Sequence, residues 1–266
     1  MKSKKLLAGV LSAAMVLSTM ALPAFADGST GTGPVEEFMS LCAQNVNEPR
    51  NINLNGETVN VTSNYWSNIY ADITIKNGTI NFSDFDTPDG IFRVGYYNDT
   101  PVTLTLENMN INVTNAQLGT GVFNINSASK ISITDSNITV NCTQEDDVVG
   151  VFYAGSGLCG DINIQNSAIN TTKANAVFYR VNVNVEDSEI NVTNNYKPVF
   201  RGAEGVVEDT TVTVVGQLGS DNRALIQALD SNSLELWVIQ LLPQVHQHHL
   251  LQMATKHILQ YQLHQQ

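Results

Sequence analysis

Three groups of side chains in this sequence have the types and spacing to do chemistry. Asp146 and Asp147 are adjacent carboxylates in the stretch Gln144 to Val149, and a pair of carboxylates is what glycoside hydrolysis uses. Neighbours on a strand point to opposite faces, so this pair reads first as part of a solvated loop. Asp84, Asp86 and Asp89-Gly90 approach the pattern of a calcium loop, and calcium is the one cofactor the chain could call for. Their spacing is one residue too long for D-x-[DN]-x-[DN]-G, and no Glu stands at the bidentate position. The third group emerges when Ile91-Phe92, Val122-Phe123, Val151-Phe152, Val177-Phe178 and Val199-Phe200 are aligned. The residues that follow these pairs are Arg93, Asn124, Tyr153, Tyr179 and Arg201, with Arg180 adjoining. Rings and guanidinium groups in a row suit a sugar chain, through stacking and bidentate bonds to hydroxyl or carboxylate. Outward strand positions also favour Tyr, Asn and Arg with no ligand at all. No general base accompanies the row, because all five histidines lie in the last residues of the chain.

What would position such a row is a ten-residue pattern of two alternating runs about a central Asn, Asp or Gly. It begins at Ile52, Ile73, Leu104, Ile131, Ile162 and Val183, and a weaker copy contains Val207, Asp209, Val212 and Val214. Alternation at period two predicts strands with one side inward and Asn, Thr, Ser and Glu outside. Gly56, Asn77, Asn108, Asp135, Asn166, Asp187 and Asp209 occupy the centres. These residue types best tolerate the left-handed backbone that a sharp corner needs. Stacked from copy to copy, they can form a hydrogen-bonded ladder, so their expected role is structural.

Steps between copies of 21, 31, 27, 31, 21 and 22 residues describe a minimal coil with insertions. The Val/Ile-Phe element supplies a third strand, and parallel strands joined in one rotational sense are almost always right-handed. The expected fold is all-β, a right-handed parallel β-helix of about seven to eight coils over residues 49–236. On coil periodicity and the Asn corner, and on no catalytic motif, the chain resembles the pectate-lyase-like superfamily of β-helix proteins. That resemblance implies acidic polysaccharides as one substrate class, handled with a calcium-binding carboxylate cluster and a basic residue. Within the segment 27–48, Val35 to Gln44 reads as an amphipathic helix with Val35, Phe38, Met39 and Cys42 on one face. Such a helix would cap the open first coil.

The ends are of other kinds. Lys2, Lys4 and Lys5, the apolar stretch Leu6 to Leu22 and Ala24-Phe25-Ala26 make residues 1–26 a secretory signal peptide. A secreted or cell-surface location follows, with no membrane contact after cleavage. Loss of three lysines and no acid takes the formal charge from -12 to -15. That balance argues against nucleic acid and anionic membranes as partners, leaves a polysaccharide or cell-surface polymer, and suits a monomer. Cys42, Cys142 and Cys159 read as buried thiols, with a Cys142–Cys159 pair as the alternative.

From Trp237 to Gln266 there is no Gly, Asn, Asp or Ser, and Gln and His dominate. Codons for Gln and His begin with CA, so a frame one base earlier reads Ser, Pro, Thr or Ala at those places. The shifted frame restores a Gly-Asn-Ser-Thr corner after Leu236 and continues as a linker. Residues 237–266 therefore read as a frameshifted tail, with a His/Gln helix capping the last coil or binding metal as the alternative. Three function classes stand: a non-catalytic carbohydrate- or surface-binding module, the leading expectation; a polysaccharide lyase or glycoside hydrolase; and a spacer or adhesin stalk. Fold alone does not choose among them.

Overall fold

The structure, a computed structural model, describes residues 33–215 except 63–64, 85, 88, 96–99, 127, 143–147 and 156–159. It also describes the backbone alone of residues 226–227 and 234–240, and of Asp86, Thr87 and Val148. Residues 1–26, read above as a signal peptide, and the histidines of the tail lie outside these residues, as do Asp146, Asp147 and Cys159.

The chain is all-β, and among the described residues its strands form two parallel sheets, one of nine strands and one of twelve. The first sheet runs Gln44–Val46, Ser67–Ile69, Phe92–Val94, Gln117–Ile125, Val148–Ala154, Ala176–Tyr179, Phe200–Arg201 and Ile226–Gln227, with Asp86–Thr87 beside Gln117–Ile125. Between successive members the chain crosses to the second sheet, where Ile73–Ser83, Thr103–Thr114 and Glu204–Val215 are continuous bent strands. Lys130–Thr134 with Asn137–Asn141 is the same unit split at its corner. This stacked order, each turn of chain pairing with the one before, is consistent with a parallel β-helix.

Alternation decides which side faces in. Ile131 and Ile133 are buried while Ser132 and Thr134 are half-exposed, and Ile162, Ile164, Val183 and Val185 repeat the arrangement. Each such side chain contributes about 1.5–3 kcal/mol by leaving water. Register is strict: Ile131 pairs with Leu104 and Ile162, and Ile138 with Ile111 and Ile169. Along the first sheet the rings of Phe92, Phe123, Phe152, Phe178 and Phe200 stack at centroid separations of 5.1–5.4 Å, all fully buried. Val122, Val151, Val177 and Val199 are buried as well. Upstream of one such pair, the register shifts between Val148 and Gly150.

The N-terminal helix is shorter than its pattern suggests, Pro34–Met39. After Met39 the chain tightens, Leu41 N–H bonding to the Phe38 carbonyl and Cys42 N–H to that of Met39, both at 3.0 Å. The tighter turn swings Leu41 inward, 1% exposed, and leaves Met39 37% exposed, exchanging their expected places. Phe38 stacks on Tyr65 at 5.4 Å, next to the ring of Phe92. At the other end Leu234–Gln240 pairs in step with residues 205–208 as far as Trp237, and slips from there on. No helix among the described residues is long and apolar enough to cross a membrane.

Candidate functional site

The outward residue after each inward Phe is fixed by the strand alternation of the first sheet. Backbone register aligns Asn45, Asn68, Arg93, Asn124, Tyr153, Tyr179, Arg201 and Gln227 in one column. Neighbours in that column are about 4.8 Å apart. The column is not uniformly open. Asn124 is 2% exposed, against the expectation of an exposed face, because its Nδ2 donates to the Asp89 carbonyl at 3.4 Å. Asp89 also closes an ion pair of 3.0 Å with Arg93, whose guanidinium lies 5.2 Å from the Trp66 ring centroid and donates to Asn68 at 3.4 Å. The Arg93 and Asn124 end is thus occupied by the protein's own groups.

Further along, the column opens. Tyr153 and Tyr179 stack at 5.2 Å with 4° between their planes, and both are half-exposed. Arg201 and Arg180 bring their guanidinium carbons to 5.1 and 5.3 Å from the Tyr179 centroid. A left-handed φ of 57° takes Arg180 off the strand, and its Nη1 donates to the Gly155 carbonyl at 3.3 Å. The Arg93–Asp89 pair is the one ion pair among the described residues, so neither Arg180 nor Arg201 has a carboxylate partner among them. Burial, reinforced by the nearby Tyr179, raises the Tyr153 hydroxyl above its ordinary value, and the Arg180 charge opposes that rise. Two stacked rings and two guanidinium groups without a carboxylate partner among the described residues can bind a ligand with both apolar ring faces and oxygen acceptors.

A feature not singled out in the sequence sets the geometry beneath these rings. Gly90, Gly121, Gly150 and Ala176 each precede an inward pair, a small-residue column visible in the alignment of those pairs. A Cβ on Gly121 would collide with the Gly150 carbonyl oxygen and come within 2.9 Å of Tyr153 Cβ.

The second sheet carries the corner residues. Asn77, Asn108, Asp135, Asn166, Asp187 and Asp209 have φ between 46° and 58°, and Gly56 has 84°. Asn77 Nδ2 donates to Asn53 Oδ1, and Asn108 Nδ2 to Asn77 Oδ1, each at 3.0 Å. Asn166 Nδ2 donates to Asp135 Oδ1. Directly inside this column runs a second polar ladder that the sequence reading did not single out. Ser136, Ser167 and Ser188 are buried, and the Oγ of each donates to the carbonyl two residues back at 2.6–2.7 Å. Each Oγ also accepts a backbone N–H from the previous turn of chain, Met109, Ser136 and Ser167 being the donors at 3.0–3.1 Å. Its signal was the Asp-Ser or Asn-Ser dipeptide repeated at the corner.

Two of the acidic calcium candidates have partners within the protein. Asp84 sits at φ 57° and accepts from Asn115 Nδ2 at 3.1 Å, as a corner residue of its own. Asp89 is committed to Arg93, and the side chain of Asp86 lies outside the described residues. Among the described residues no group of three His, Cys, Asp or Glu could hold a metal. No protein-family model matches the chain, and no curated protein or solved structure is significantly similar to it.

Proposed function

We propose that this chain is an exported right-handed β-helix module, related to the pectate-lyase-like superfamily, that binds a polysaccharide or cell-surface polymer without cleaving it. The short helix at its start acts as the cap of seven to eight coils. The observation that carries the binding reading is the arrangement at Tyr179, whose ring stacks on Tyr153 and is flanked by Arg180 and Arg201. Flat rings offer a sugar face a contact that loses little conformational entropy, and guanidinium groups fix its oxygens. Held cations on an acidic chain would favour a glycan bearing hydroxyl or carboxylate groups.

The test is incubation of the leader-free protein with plant, microbial and host polysaccharides, with and without calcium, following retention and new chain ends. Retention without cleavage, weakened at least about tenfold by Tyr179→Ala or Arg201→Ala, is the expected result; tenfold corresponds to about 1.4 kcal/mol. New unsaturated or reducing ends would make the chain an enzyme. No retention on any polymer would leave the spacer or stalk.

A further inference from the structure

On the outer surface of the second sheet lies a groove of about 840 Å³ that shares no lining residue with the tyrosine column. One wall is the corner column, from Asn77 past Asp135 to Asp187. The other is made by the first outward residues beyond each corner, among them Asn110, Asn137 and Ala168. Its origin is local. The left-handed residue bends every strand pair, and identical bends in register make a continuous concavity. With each rung about 4.8 Å from the next, a groove crossing six corners extends about 24 Å. That length suits an extended polymer and wastes most of its surface on a small molecule.

Both walls carry amides already fixed in place. Asn108 donates to Asn77 at 3.0 Å, Asn137 to Asn110 at 3.0 Å, and Asn170 to Asn137 at 2.7 Å. A side-chain amide has two N–H groups and two acceptor lone pairs. The ladders engage one donor and one acceptor of Asn77 and of Asn137, so further capacity remains at rotamers that binding need not freeze. The charge is equally informative. Among the described residues Asp135, Asp187 and Glu189 line the groove and no Lys or Arg does, which repels uronate or sulfate chains. We propose that this groove binds a linear stretch of a neutral polysaccharide through hydroxyl-to-amide and hydroxyl-to-carboxylate hydrogen bonds, as a second site independent of Tyr153 and Tyr179.

Affinity electrophoresis of the full chain tests this, in gels holding hydroxyethyl cellulose, mixed-linkage β-glucan, glucomannan or polygalacturonate. Ala168 is half-exposed, lines the groove and belongs to neither ladder, so Ala168→Trp fills the space while leaving the amides paired. Thr79→Trp does the same near the other end of the groove and guards against a folding failure in the first variant. The expected result is retardation by at least one neutral polymer, weakened at least tenfold by either variant and unchanged in the Tyr179→Ala, Arg201→Ala double variant. Failure of all three neutral polymers to retard the chain would overturn the proposal. So would retardation that survives both tryptophans, or that disappears only with the tyrosine-column variant. Polygalacturonate binding abolished by Ala168→Trp would also overturn it, by showing an anionic occupant.

Discussion

Removing a single hydroxyl, in Ser167→Ala, tests whether the inner polar ladder holds the turns of chain together. Ser167 is 6% exposed. Its Oγ donates to the Gln165 carbonyl at 2.7 Å and accepts the Ser136 N–H at 3.0 Å. Alanine deletes both bonds and strands the Ser136 N–H in the interior. Each bond is worth about 0.5–1.5 kcal/mol net, and a stranded buried donor costs about 1–3 kcal/mol. Taken together rather than summed, a loss of about 2–3 kcal/mol is expected, most of it felt where residues 136 and 167 adjoin. Unfolding of stacked repeats need not be two-state, so a denaturant midpoint alone is a blunt readout. Exchange of the Ser136 amide is sharper: at about 1.4 kcal/mol per tenfold, its protection falls about 30- to 140-fold. Ser167→Thr is the control, because Thr210 at the equivalent corner donates to the Glu208 carbonyl at 2.7 Å and accepts the Ser188 N–H at 3.3 Å. If alanine leaves Ser136 protection unchanged, or threonine costs as much as alanine, the ladder does not carry the load assigned to it.

The glycine column predicts a graded pair. Gly121→Ala drives a methyl into the Gly150 carbonyl, whereas the methyl of Gly150→Ala approaches Tyr179 Cβ and the Phe152 carbonyl at 3.1 Å. Thermal denaturation is expected to show a clearly larger loss for Gly121→Ala, of about 1–3 kcal/mol by analogy with overpacked cores; equal losses would contradict the geometry. Tyr153 predicts an alkaline limit. Its hydroxyl is raised by burial and by Tyr179, so the folded state holds the proton more tightly than the unfolded chain, whose tyrosines titrate near pH 10. The contribution is then complete below about pH 10 and lost as pH rises through the higher folded value. A melting temperature flat to about pH 10 and falling beyond it, less steeply in Tyr153→Phe, is the expected result; a fall that begins well below pH 9 would point to another group.

Parallel, stacked strands were legible because the signal is redundant: alternating Ile and Val recur in register, and one misread copy is outvoted by its neighbours. Corner positions were legible for a different reason, since few residue types sit comfortably at positive φ, and six Asn or Asp residues and Gly56 are found there. What escaped depends on contacts no period reports. Asn124 looks like any outward residue, and it is buried because a segment contributed by an earlier turn of chain places the Asp89 carbonyl over it. The exchange of Met39 for Leu41 follows from one tight turn, which helical periodicity cannot foresee. Both members of the Val-Phe pairs are buried, where simple alternation would have placed one of them outside. The serine ladder was readable in principle, yet Ser beside Asn or Asp reads as ordinary turn chemistry until its hydroxyl is seen to be buried.

Where the chain is short also decides where it can be reached. Copies at 73 and 104 are separated by 31 residues, and the segment that covers Asn124 and neutralises Arg93 comes from that excess. Copies at 162, 183 and 205 are separated by only 21 and 22 residues. There the connection from Thr172 to the strand at Ala176 leaves little chain to fold back over the column, and Arg180 takes a left-handed conformation in the equally short turn on to Asn182. The same economy that shortens these turns exposes Tyr179 and turns a second guanidinium onto its ring. At Tyr179 the short coil, and not residue type alone, thus leaves the ring open. Lengthening the connection between Thr172 and Ala176, which like 84–91 leads from the second sheet into the first, by a segment of that kind would cover Tyr179, and would remove polymer retention while leaving both sheets intact.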